Sequence, residues 1–199
     1  MMAKFSFKKR VLLGSPIVLL IIAVVVMIMG KLDRREKGPD QFGALKPFEL
    51  IDHKSQSYSS STIKTKARVI NFMFTTCNGI CPVLSQEMRK FQQLFQGQGL
   101  LELISISIDP EKDTPKRMSE YIAHMKIDDS NWSFLTGELE KIKKIMTEDF
   151  KIGFHQDIQS HTDRFVLVDQ NNQIRGYYSM SDEGSYARLK KDIAWLVHH

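Results

Sequence analysis

The sequence predicts an α/β domain behind one N-terminal transmembrane helix, and three observations carry that prediction. Residues 11–30 contain no charge and are dominated by Val, Ile, Leu and Met. From residue 48 onward, short aromatic or β-branched runs alternate with stretches whose apolar residues recur every three or four positions, as strands interleaved with helices do. The chain then finishes with two strand-like runs around Asn171-Asn172 and a last helical stretch, a hairpin followed by a helix.

The N-terminal run comes first in order. At about 1.5 Å of rise per residue, residues 11–30 span roughly the 30 Å hydrocarbon core of a bilayer. Lys4, Lys8, Lys9 and Arg10 precede the run and Lys31, Arg34, Arg35 and Lys37 follow it, so the flanking charges do not decide its orientation. The run ends Met27-Ile28-Met29-Gly30 without a small-residue peptidase site, and no cysteine there offers a lipidation site. It therefore reads as an uncleaved anchor. The predicted organisation is a tail over 1–10, the anchor over 11–30, a linker over 31–44 and a folded domain over 45–199.

Charge distribution argues against nucleic acid as a partner. Residues 1–37 hold eight Lys+Arg and two Asp+Glu, which leaves 20 basic and 21 acidic residues for the rest of the chain. The net charge of +5 thus belongs to the flanks of the anchor, and the domain itself is close to neutral. The ten methionines read as packing, since four lie at the extreme N-terminus or in the anchor and several others fall on helix faces.

Within the domain, 48–52 and 57–59 suit a small leading hairpin. Residues 68–74 (RVINFMF) form a buried strand, too short and too rich in aromatic and β-branched side chains for a helix. Leu84, Met88, Phe91, Leu94 and Phe95 then mark one face of a helix of about four turns, with Pro82 in its first turn, where its missing N–H is no loss. Residues 100–108 (LLELISISI) give a second buried strand. Thr114-Pro115 caps the next helix, whose apolar face is Met118, Tyr121, Ile122 and Met125. A short strand over 132–135, a helix marked by Leu139, Ile142, Ile145 and Met146, the hairpin 165–168 with 174–178, and a final helix through Leu189, Ile193, Trp195 and Leu196 complete the domain.

A βαβ core that ends in an antiparallel hairpin and a helix is the thioredoxin-like arrangement. The only two cysteines, Cys77 and Cys81, then sit on the turn from the central strand into its helix. Orphan N–H groups and the helix dipole at such a turn are expected to favour thiolate, the form that attacks disulfides and binds metals. Three residues separate the pair, so a disulfide or a soft ion can bridge the sulfurs, and spacing does not choose between them. A purely structural disulfide would close so short a loop that it would stabilise little.

Thioredoxin-like oxidoreductases usually place a proline just before the hairpin strand, facing the cysteines. Here the last proline is Pro115, and Ser160-His161-Thr162-Asp163 precedes that strand. In this fold His161 lies on the loop nearest the thiols. Two thiolates and an imidazole make a set suited to Cu(I) and acceptable to Cu(II), whereas zinc in a closed structural site wants a fourth ligand; the plain alternative is a loop histidine capping a strand. His155 reads as a surface loop residue, His53 lies in a turn, His124 in a helix, and His198 and His199 at a terminus.

These residues resemble the Sco/SenC copper-binding proteins, membrane-anchored thioredoxin-like factors for assembling the copper centre of cytochrome c oxidase. The resemblance runs from about Gly43 to the C-terminus and includes the anchor. It rests on Phe74-Thr75-Thr76-Cys77 with Cys81-Pro82, on the segment Ser107-Ile108-Asp109-Pro110-Glu111-Lys112-Asp113-Thr114-Pro115, on Leu135-Thr136-Gly137, and on His161 ahead of Phe165-Val166-Leu167-Val168-Asp169. It implies Cys77, Cys81 and His161 as ligands of one copper ion, Cu(I) or Cu(II). It also implies a copper chaperone in place of a turnover enzyme. The implied partners are the copper-receiving subunit of cytochrome c oxidase, other copper chaperones, and the lipid bilayer through the anchor.

The resemblance implies a domain that lies outside the cytoplasm. Nothing in residues 1–10 resembles a mitochondrial presequence, which favours a bacterial inner membrane with the domain in the periplasm. One departure stands out: the family commonly has Pro-Asp between the cysteines where this chain has Asn78-Gly79, which removes a carboxylate near the metal and bears on its tuning. Asp109-Pro110 reads as a strand exit and Thr114 as a cap, with no ligand role. The same cysteines would also serve a thiol/disulfide reductase acting on the partner's copper-ligating cysteines, or a copper or redox sensor. A thiol peroxidase fits less well, because the turn lacks the upstream proline that frames a peroxidatic cysteine.

Overall fold

The computed structural model describes residues 16–36, 38–62, 65–153 and 163–199, in two compact units that divide at Gly38/Pro39. The described part of the first unit is helix α1 (Pro16–Glu36). This helix takes in residues 16–30 of the apolar run and continues through Lys31, Asp33, Arg34, Arg35 and Glu36. Among the described residues, no helix is long and apolar enough to cross a membrane; residues 11–15, the start of the predicted span, lie outside them.

The second unit is built on a sheet. Its strands are β1 (Gly43–Ala44), β2 (Glu49–Asp52), β3 (Ser57–Ser59), β4 (Ala67–Met73), β5 (Leu101–Ser107), β6 (Trp132–Thr136), β7 (Arg164–Asp169) and β8 (Gln173–Ser179). They lie in the order β1-β8-β7-β4-β5-β6-β2-β3. β4, β5 and β6 run parallel, while β7 is antiparallel to β4 and pairs with β8 as a hairpin. Every residue of β4 is buried, as expected of a central strand covered on both faces. The helices are α2 (Ile80–Leu94), α3 (Pro115–His124), α4 (Leu139–Lys144) and α5 (Glu183–His198). This is the thioredoxin-like arrangement the sequence predicts.

Local chemistry explains most element boundaries. The Thr114 hydroxyl accepts from the Arg117 N–H at 3.2 Å, with Pro115 in the first turn of α3, so two of the helix's orphan positions are dealt with by sequence. α2 buries Leu84, Met88 and Phe91, but Leu94 is 62% exposed and Phe95 alone continues the packed stripe. α4 runs on as a π-helical turn over Ile145–Asp149, which lets Ile145 and Met146 both turn inward.

The sheet also extends beyond the predicted boundary. β1 falls inside the stretch read as linker: the Phe42 N–H donates to the Ile174 carbonyl at 2.8 Å and the Leu45 N–H to the Asn172 carbonyl at 2.7 Å. The Arg175 guanidinium holds the same stretch through the carbonyls of Asp40 and Pro39. A two-residue Gly-Ala strand has no periodicity to read; only its partner strand makes it one.

Glu102 on β5 supplies a pH-dependent element of stability. Burial raises its carboxyl from 4.5 to about 6, against the lowering effects of the Tyr58 hydroxyl, at 3.1 Å, and of Arg68. The folded state therefore holds this proton more tightly than the unfolded chain. The contribution is complete below pH 4.5 and is lost as pH rises through about 6, a change of about 2 kcal/mol. Chemical denaturation across that window should show the decline in wild type and a flatter profile in Glu102→Gln.

Candidate metal centre

The parallel pairing of β4 with β5 ends at Met73 opposite Ser107, so both strands open at the same end of the sheet. The chain leaves β4 through Phe74-Thr75-Thr76, and the Cys77 N–H closes that turn on the Phe74 carbonyl at 3.2 Å. Gly79 then starts α2, which places Cys81 and Pro82 in its first turn. The cysteine turn is thus where the sequence predicts it.

Both thiols are buried, and they are not joined by a disulfide. Cys77 keeps 6% of its surface exposed and Cys81 none. The Cys81 N–H donates to the Cys77 sulfur at 3.4 Å, so the helix N-terminus presents a donor to the first sulfur. The expected preference for thiolate does not hold at Cys81. Burial pushes that thiol strongly upward, the neighbouring Cys77 thiol adds to the effect, and the backbone at Phe74 opposes it only in part. Desolvation outweighs the helix terminus here, because a charge with no exposed surface loses its hydration outright. A cation entering the site would supply the missing compensation and release the proton.

The turn is held by a carboxylate to which the sequence pattern gives no role of its own. Asp113, fully buried, accepts from the Thr75 N–H at 3.2 and 3.1 Å, from the Thr75 hydroxyl at 2.6 Å and from the Ser107 hydroxyl at 2.6 Å. One carboxylate therefore ties the cysteine turn to the end of β5. Arg117 reaches the Thr75 hydroxyl at 3.4 Å from α3, and Tyr121 meets Ser85 of α2 at 3.0 Å. The sequence carries a signal for it: Thr75 lies just past the end of one buried strand and Ser107 ends its neighbour, and buried hydroxyls need a partner. Asp109 behaves as a strand exit should, with its carbonyl accepting from the N–H groups of Lys112 and Asp113.

His161 and His155 lie outside the described residues. The register nevertheless fixes where the chain re-enters the sheet after them. Phe165 of β7 pairs with Asn71 of β4, so residue 163 stands beside the end from which the cysteine turn departs. Asp163 is fastened there: its carboxylate accepts from the Ser179 and Ser181 hydroxyls and from the Ser181 N–H at 3.0 Å.

The remaining histidines have other places. His53 is buried, with its Nε2 2.8 Å from Asp129 and its ring edge-on to Phe134, so its ring is committed to these contacts. His199 stacks on Trp195 with centroids 4.5 Å apart. His124 is exposed at the end of α3. Among the described residues, no group of three His, Cys, Asp or Glu is poised to hold a metal ion; the described donors at this site are the two cysteines.

Known proteins resemble this chain in architecture and in sequence. The chain is 26% identical to the SCO1 protein homolog of Bacillus subtilis (strain 168) over 155 residues, 75% of this chain and 80% of that one. It is 29% identical over 143 residues to a putative copper-binding protein of Stutzerimonas stutzeri, 67% of this chain and 68% of the other. Among solved structures it superposes with a TM-score of 0.70 and 25% identity on BsSco, a member of the Sco family of cytochrome c oxidase assembly proteins in which a disulfide switch was identified; the match covers 81% of this chain and 97% of that one. The SCO1/SenC family model matches residues 36–198, and the chain belongs to the SCO1/SenC family.

Proposed function

We propose that this protein is a membrane-anchored copper chaperone that holds one copper ion through Cys77, Cys81 and His161 and delivers it to the copper centre of cytochrome c oxidase. The observation that carries the reading is the pair of buried thiols where β4 passes into α2, at the sheet end where β7 begins three residues after His161 in sequence. His161 precedes Asp163 by two positions in sequence, and Asp163 stands beside that end of the sheet. Two thiolates and an imidazole form a soft set that suits Cu(I) and tolerates Cu(II). The copper-binding relative and the assembly role of BsSco's family support cargo and destination.

The chaperone works by ligand exchange. Copper passes to a partner's donors through mixed coordination, with each new bond formed as an old one breaks. Residues 11–30 anchor the domain in a bacterial inner membrane, facing the periplasm, and the apolar composition of that run supports this. His161→Ala should weaken Cu(II) binding more than Cu(I), by about tenfold or more, because loss of one ligand costs the borderline ion more than the soft one. Competition titrations with chelators for each oxidation state measure this, and equal losses would remove His161 from the ligand set.

A second reading is favoured by the Cys77–Cys81 contact and by the disulfide switch in BsSco. In it the pair reduces the disulfide of a partner's copper-ligating cysteines and is itself oxidised to a Cys77–Cys81 disulfide. Turnover of a peptide disulfide without copper, and undiminished by His161→Ala, would select it.

A further inference from the structure

The two sulfurs differ in access. Cys81 has no exposed surface, while Cys77 borders a cleft of about 440 Å³ between the cysteine turn and α3. Any ion that reaches the pair from this side meets Cys77 first. The opposite wall ends in His124 and Met125, the last residue of α3 and its C-cap. His124 is exposed and Met125 half-buried.

These two residues sit on a fixed piece of backbone. The Met125 N–H donates to the Tyr121 carbonyl at 2.9 Å, and its own carbonyl accepts from the Arg89 guanidinium of α2. Arg117 and Glu120 on the same wall are paired with each other at 3.6 Å, which offsets the positive charge that would repel a cation. Met118, one turn earlier, is fully buried in the core. Of Met118 in α3 and Met125 at its C-cap, only Met125 borders the cleft.

A thioether and an imidazole bind Cu(I) more weakly than a pair of thiolates, and donors graded in this way favour movement toward the sulfurs. We infer that the cleft bordered by Cys77, His124 and Met125 is a transit site for Cu(I), through which the ion is handed to the cysteine pair. The inference rests on the copper reading proposed above. Copper remains Cu(I) throughout: a bond to the Met125 sulfur or the His124 imidazole forms as the donor complex releases the ion. That bond breaks as Cys77 and then Cys81 bind, and the thiol protons pass to solvent.

The test is the rate at which the reduced full-length chain, in detergent, withdraws Cu(I) from its coloured bicinchoninate complex in a stopped-flow instrument. The double variant His124→Gln/Met125→Leu should load about tenfold more slowly, as expected for loss of a weak contact in the exchange barrier, with final stoichiometry unchanged. Met118→Leu, a volume-conserving change in the core, should load at the wild-type rate. A double variant that loads as fast as wild type would overturn the transit role. So would equal slowing in Met118→Leu, or a loss of stoichiometry that made the pair permanent ligands. A wild-type chain that takes up no Cu(I) would instead overturn the copper reading on which the inference rests.

Discussion

Cys77→Ser or Cys81→Ser should each abolish stoichiometric copper binding. A serine hydroxyl keeps its proton at neutral pH and is a hard donor, so the variant loses both the charge and the softness that hold copper. The expected loss is at least about a thousandfold in affinity, roughly 4 kcal/mol. The two variants should differ in stability. Cys81 is fully buried, and a hydroxyl there needs a hydrogen bond that a thiol does not, at a cost of about 1–3 kcal/mol. Cys77 borders the cleft, where water can satisfy the hydroxyl. Copper titration followed by thermal unfolding of the same samples separates the two effects.

The second large effect is expected at Asp113. Replacement by Ala leaves the Thr75 N–H, the Thr75 hydroxyl and the Ser107 hydroxyl without their acceptor in a buried site. Several donors to one buried carboxylate should cost about 3 kcal/mol or more when it is removed. Asp113→Asn should recover only part of this, because its amide nitrogen presents donors where the site already supplies donors. Copper affinity should also fall, about 10- to 100-fold, since the cysteine turn loses the group that orients it. Urea denaturation and copper competition on both variants measure the pair of effects. Stability lost without any change in affinity would confine Asp113 to the fold.

What could be read from the sequence follows the range of the forces involved. Buried central strands, the Thr114-Pro115 helix start and the cysteine turn are set by residues within a few positions of one another, and each lies where local pattern puts it. The bond from Thr75 to Asp113 spans 38 residues. β1 exists only because β8 offers it an edge. The balance at Cys81 is not legible in sequence, because the dipole of a helix start is visible there, whereas the depth of burial is a property of the assembled core. Leu94 fits the period of α2 yet faces solvent, since a stripe of five apolar residues is wider than the surface the sheet presents. His161, the third proposed ligand, lies outside the described residues, so its assignment rests on sequence and on the register of β7.

Copper stoichiometry and visible absorption of the reduced full-length chain, beside its His161→Ala variant, decide whether the cysteine pair and His161 hold copper. One Cu(II) per chain is expected, with a thiolate-to-copper charge-transfer band that the variant loses. A chain that takes up no stoichiometric copper, while Cys77 and Cys81 cycle reversibly through a disulfide, would contradict it and make thiol/disulfide exchange the function of the pair.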